Sequence, residues 1–174
     1  CFSDMYFFPD TVAEVASNAG IRAVIGLIVI DFPSAWAKDP DEYLLKAGQV
    51  HHKYRNAPLV TTAFAPHSPY AVSDTSLLQL NTLAEEMDIP IHMHVHETKE
   101  EVSESMEKLG KRPLQRLYEL GLLSPRLLAV HMTQLESAEI DLIARYGVNV
   151  IHCPESNLKL ASGFCPVHTL QEAG

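Results

Sequence analysis

The chain has 174 residues, 47% of them hydrophobic and 20% charged, as in an ordinary globular protein of one domain. Thirteen Lys and Arg stand against 22 Asp and Glu, a net charge of −9, so no basic patch is available for phosphates and neither nucleic acid nor a membrane is expected as partner. The three cysteines, Cys1, Cys153 and Cys165, show no CxxC spacing, and a reduced, cytoplasmic setting is expected.

Cys1–Pro9 reads as the exit of a strand into a loop. Thr11–Asn18 has Val12, Val15 and Ala16 at helical spacing, with Gly20 suited to the helix end. Ile21–Ile30 is almost wholly apolar and β-branched, as in a strand covered on both faces. Asp31–Asp41 is a loop, Tyr43–Arg55 a helix, and Pro58–Pro66 a strand that runs into His67-Ser68-Pro69-Tyr70. Ser73–Asp88 is an amphipathic helix with Leu77, Leu80, Leu83, Ala84 and Met87 on one stripe. After the strand Ile89–Glu97 come helical segments Glu100–Leu109 and Pro113–Leu120, interrupted at Gly110. Arg126–Met132 is a strand ending in His131. Thr133 with Glu136 predicts a capping box for a helix through Tyr146, closed by Gly147. Val148–Cys153 is a further strand, Pro154–Phe164 a loop, and Pro166–Ala173 the start of a last helix.

Regular alternation of strand and helix predicts an α/β fold with a parallel sheet and right-handed crossovers. A (β/α)8 barrel and an open doubly wound sheet both fit. The lack of a GxGxxG or P-loop motif weakens a nucleotide-binding open sheet. His67, His94 with Glu97, His131 and His152 each stand at the C-terminal end of a different predicted strand. In a barrel those ends meet on the face that carries the active site, and this favours the barrel.

The most informative stretch is Ile89-Pro90-Ile91-His92-Met93-His94-Val95-His96-Glu97-Thr98. Period-two alternation puts Ile89, Ile91, Met93 and Val95 on one face of a strand, and His92, His94 and His96 on the other. Buried imidazoles each need a partner: a metal, a carboxylate or an anionic substrate. Alternation does not say which of the three binds. Imidazoles and a carboxylate at a barrel mouth suit metal-assisted hydrolysis, in which a nearby Glu carries a proton and a histidine outside the metal shell hydrogen-bonds the hydroxide or the developing oxyanion. No GxSxG elbow and no structural zinc spacing compete with that reading. Ser156, Asn157 and Lys159 could equally face a substrate or cap the last helix.

IHMHVHET, AVHMTQL and HCPESNLKLASG together resemble the amidohydrolase superfamily, and within it the branch of 5'-methylthioadenosine/S-adenosylhomocysteine deaminases and triazine hydrolases. APHSPYAVSD is similar to that branch's substrate loop after the fourth strand. The resemblance implies an incomplete (β/α)8 TIM barrel over residues 1–174, about strands 2 to 7. It implies His94 as a metal ligand, Glu97 as the catalytic and substrate-contacting proton carrier, His131 as the residue that polarises the attacking water, and His67 as a substrate contact. The implied cofactor is one divalent metal per site, Zn2+ with Fe2+ or Mn2+ as alternatives. The implied substrate is an adenosine-type thionucleoside, deaminated to the inosine analogue with release of ammonia. Guanine, 8-oxoguanine or a chloro-s-triazine are the alternative substrates, and a non-catalytic barrel remnant is the alternative outside enzymes. Family members are often homodimers. The family's H-x-H pair on the first strand and Asp on the last strand have no counterpart in these 174 residues. The chain is therefore expected to be part of a longer polypeptide, with weak zinc binding and no turnover by itself.

Overall fold

A computed structural model describes all 174 residues, which fall into two compact units: residues 1–67 with 71–92, and residues 68–70 with 93–174. The first contains β1 (Phe2–Tyr6), α1 (Pro9–Ala19), β2 (Ala23–Val29), α2 (Pro40–Tyr54), β3 (Val60–Pro66) and α3 (Asp74–Met87). Strand β4 (Ile91–Val95) begins in it. β1 pairs with β2 and β2 with β3, all parallel, and Phe64 of β3 faces Ile91 of β4.

The apolar run of β2 is buried at six of its seven positions, as a strand sandwiched by helices requires. The predicted stripe on α3 faces inward: Leu77, Leu80 and Ala84 are fully buried, with Leu83 and Met87 half-buried. Helix ends are marked by local chemistry. Asp39 accepts from the Glu42 N–H at 2.9 Å to open α2, and Ser73 accepts from the Ser76 N–H at 3.3 Å to open α3. His51, in the last turn of α2, is tied to Thr62 at 2.7 Å, a structural contact. Gly26 in β2 is required by close approach: a Cβ there would lie 2.5 Å from the Asp4 carbonyl oxygen and 3.0 Å from Ala65 Cβ. Gly26→Ala is expected to destabilise the protein by about 1–3 kcal/mol. An unchanged urea midpoint for the variant would contradict this.

The second unit contains α4 (Lys99–Leu109), α5 (Pro113–Glu119), β5 (Leu127–His131), α6 (Ser137–Tyr146), β6 (Asn149–Ile151), α7 (Pro154–Lys159) and α8 (Val167–Ala173). β5 and β6 are parallel, with Leu128 opposite Asn149. The end of β4 meets the exit of β5 through Met132 N–H to Val95 O (3.1 Å) and Thr133 N–H to His96 O (3.0 Å). Leu114, Leu117, Leu122 and Leu127 have no exposed surface and make the core. No helix of the chain is long and apolar enough to cross a membrane.

Three local expectations are corrected. The strand at Ile89–Glu97 is only Ile91–Val95, because His96 adopts a left-handed conformation (φ 54) and leaves the extended path. The capping box of α6 is Glu136 with Glu139, not Thr133 with Glu136. The Thr133 hydroxyl instead faces the carbonyl oxygens of Glu97 (2.7 Å), His96 (3.1 Å) and Ser162 (3.2 Å). The segment Pro154–Phe164 is not all loop: its first six residues form α7, opened by Pro154 at a first-turn position where a missing N–H costs nothing.

Candidate active site

The exits of β4 and β5 bring three of the sequence-nominated side chains together within the second unit. His94 is the half-buried histidine of β4, and its ring stacks on that of His131 with centroids 5.3 Å apart and planes 25° from parallel. His131 Nε2 lies 3.3 Å from Glu97 Oε1. On the other edge of the same ring, Nδ1 lies 2.7 Å from Asn157 Oδ1. His131 and Asn157 are buried and Glu97 is half-buried. The result is a short polar string, Asn157–His131–Glu97, with His94 stacked on its central ring.

Backbone conformation explains why these side chains point as they do. His131 and Met132 are both left-handed (φ 78 and 51), an arrangement that non-glycine residues hold only when their surroundings enforce it. The enforcement is the pair of backbone hydrogen bonds to Val95 and His96 together with the Thr133 hydroxyl. Just past β4 the left-handed His96 turns two successive N–H groups toward one acceptor. The Glu101 carboxylate fills that nest, accepting from His96 N–H at 2.9 Å and Glu97 N–H at 2.7 Å. Glu101 itself is placed by Thr98, whose hydroxyl caps the Glu101 N–H at 3.1 Å. Burial pushes the Glu101 carboxyl up, against the pull of the two backbone N–H groups it accepts.

The three histidines His92, His94 and His96 have separate fates. His92 is buried near Ser3, with Nδ1 3.5 Å from the hydroxyl. His96 has no exposed surface: its Nε2 accepts from the Leu114 N–H at 3.1 Å, and its Nδ1 lies 3.3 Å from the Gln134 carbonyl. Those two contacts define a neutral ring with the proton on Nδ1. Beside it, Arg112 holds Glu139 through two hydrogen bonds of 2.8 Å and also donates to the Gln134 carbonyl. His152 is exposed and lines a cavity of about 560 Å³ with Ile140, Ile143, Val148 and Leu170. His67 belongs to the first unit, one residue past β3, half-buried, its N–H bonded to the Val29 carbonyl at 3.2 Å.

Burial holds His96 down to about 4; the Glu139 charge opposes the shift and Arg112 reinforces it. Between pH 4 and 6.5 the unfolded chain binds the His96 proton and the folded chain does not, so stability rises with pH across that window. The contribution is complete above about pH 6.5, is lost as pH falls toward 4, and amounts to about 3 kcal/mol. Urea titrations at pH 7 and pH 4.5 on the wild type and His96→Asn check it. The variant is expected to show a smaller loss on acidification, and equal losses would refute the assignment.

In the sequence Glu101 carries no assigned role and Asn157 stands between a substrate-facing and a capping one. For Glu101 the signal was present, since Thr98-Lys99-Glu100-Glu101 is a T-x-x-E capping pattern. For Asn157 no local pattern exists, because its partner is 26 residues away. In the structure Asn157 is buried against His131 and does not cap the last helix, whose N-cap is Pro166.

Nitrogen and oxygen donors such as His94, His131 and Glu97 are of the type a borderline divalent cation accepts. The chain holds no group of three or more His, Cys, Asp or Glu placed to hold a metal ion alone. The donor set therefore fits one side of a metal site rather than a closed one.

Parallel strands alternating with helices, with His94, Glu97 and His131 at neighbouring strand exits, are the arrangement seen in α/β-barrel enzymes, and the whole chain, residues 1–174, matches the family model described as amidohydrolase family. The chain belongs to the amidohydrolase family. A relative from Saccharophagus degradans, named 5-methylthioadenosine/S-adenosylhomocysteine deaminase, is 52% identical over 172 residues, 99% of this chain and 39% of its own length. A crystal structure of an adenosine deaminase from Xanthomonas campestris with bound zinc is 54% identical, with a TM-score of 0.96 over 98% of this chain and 39% of that one. An atrazine chlorohydrolase from Arthrobacter aurescens TC1, 20% identical with a TM-score of 0.88, shares the fold. The six strands with their helices are thus a portion of a (β/α)8 barrel, the fold expected from the sequence. The chain spans about 39% of the length of these curated relatives.

Proposed function

We propose that these residues form part of the active site of a hydrolytic deaminase acting on adenosine-type thionucleosides, 5'-methylthioadenosine or S-adenosylhomocysteine. The same proposal makes residues 1–174 the central portion of a barrel completed by further strands. The observation that carries it is the string Asn157–His131–Glu97 with His94 stacked on His131. The names of the relatives with 38–52% identity support the substrate class.

In this reading His94 supplies one ligand to a divalent metal, zinc by analogy with the Xanthomonas campestris protein. Such a metal lowers the pKa of water toward about 7 and so supplies the nucleophile. Glu97 takes a proton from the attacking water and delivers it to N1 of the adenine, then helps the exocyclic amine leave as ammonia. His131 accepts a hydrogen bond from the attacking water and so orients its oxygen toward C6. His67 contacts the substrate. Water and the aminopurine become the oxopurine and ammonia, with no other reactant.

The test is ammonia release by the full-length protein loaded with zinc, measured on 5'-methylthioadenosine, S-adenosylhomocysteine, adenosine, guanine and atrazine. The highest kcat/KM is expected on the two thionucleosides. A tenfold preference for guanine or atrazine, or no turnover of any, would overturn the reading.

A further inference from the structure

We infer that Asn157 is a positioning residue that fixes the tautomer of His131, placing its proton on Nδ1 and turning an unprotonated Nε2 toward Glu97. Its relevance to catalysis rests on the role proposed for His131. The contact is 2.7 Å, shorter than an average N–H···O bond, and both side chains are buried, Asn157 to 1% exposure. Water cannot substitute freely for either partner there.

Asn157 is itself fixed at both backbone groups: its N–H donates to Cys153 O at 3.0 Å and its carbonyl accepts from Ser162 N–H at 2.9 Å. The other end of the amide, Nδ2, is buried with no hydrogen-bond partner. Buried polar atoms without partners are uncommon. Here the side chain is aligned by the Oδ1 contact to His131 rather than by satisfying all of its donors. A second histidine in the same unit supplies the contrast. His96 receives Nδ1 and Nε2 contacts from the main chain of Gln134 and Leu114. His131 depends for both on side chains, Asn157 on one edge and Glu97 on the other.

The consequence is a proton count. With Nδ1–H directed at Asn157, the 3.3 Å gap between Nε2 and Glu97 Oε1 accommodates one proton. A proton that Glu97 takes from water stays hydrogen-bonded to Nε2 until it passes to the substrate. In the opposite tautomer Nε2–H would donate to Glu97 permanently and compete with that transfer.

The experiment uses the full-length protein with 15N-labelled histidine, the His131 signals being assigned by their loss in His131→Gln. Wild type is expected to show a protonated, pyrrole-type Nδ1 and a pyridine-type Nε2. Asn157→Leu should move His131 to the other tautomer or to a mixture, and lower kcat about 100-fold with KM changed less than threefold. Asn157→Asp, which keeps an acceptor at the same place, should restore the tautomer and most of kcat. A pyridine-type Nδ1 in wild type overturns the inference, and so does Asn157→Asp behaving like Asn157→Leu. If Asn157→Leu fails to fold, the wild-type spectrum and the Asp variant still decide. Should no adenosine-type substrate be turned over, the proposed function fails while the nitrogen shifts still test the tautomer.

Discussion

Glu97→Gln is expected to lower kcat for deamination by about 10²–10⁴-fold while leaving fold and metal content unchanged. The change is isosteric. The Glu97 N–H stays in the Glu101 nest, and the side chain can still reach His131. What is lost is the capacity to take up and release a proton. Glutamine also presents either a permanent N–H donor or a weaker carbonyl acceptor to His131 Nε2, so the one-proton exchange between the two groups stops. Steady-state kinetics on 5'-methylthioadenosine and metal analysis of the purified full-length variant check both halves. Turnover near the wild-type rate removes Glu97 from the proton-transfer role. Loss of metal instead would move Glu97 into the ligand set beside His94.

The barrel portion was legible in the sequence because its signals are local and periodic. Ile21–Ile30 reads as a doubly covered strand, and six positions of β2 are buried. The Leu77, Leu80 and Ala84 stripe falls on the inner face of α3. Strand exits bearing His94, Glu97 and His131 were placed correctly in the element order, which is why the three could be nominated together. What periodicity could not do was separate His92, His94 and His96. All three alternate identically, yet His92 is set by Ser3 and His96 by Leu114 and Gln134, residues 18 to 89 positions away. The α6 start was misread for a related reason. Thr133 has the residue type of a cap, but three main-chain carbonyls surround its hydroxyl, and tertiary demand overrides local preference. Asn157 belongs to the same class: nothing within ten residues of it reveals His131.

Glu101→Ala tests whether the active-site loop is held by this carboxylate, and it is expected to lower kcat about 10²-fold and stability by about 1–3 kcal/mol together. Removing the carboxylate leaves the His96 and Glu97 N–H groups without their acceptor. It also removes the reason for the left-handed turn at His96, a conformation a histidine does not favour by itself. Glu97 stands immediately after that turn, so relaxation of φ at His96 swings its side chain away from His131. A displacement of about 1 Å suffices for a hundredfold loss when reacting groups must meet at hydrogen-bond distance. Glu101→Gln separates the two effects. It keeps one carbonyl acceptor but sets an amide N–H against a backbone N–H, so it should recover part of the stability and less of the activity. Urea midpoints and kcat on the same preparations measure this. A Glu101→Ala variant that loses stability but keeps wild-type kcat would confine the residue to capping α4, and the turn at His96 would then be fixed by the buried His96 ring and its contacts to Leu114 and Gln134.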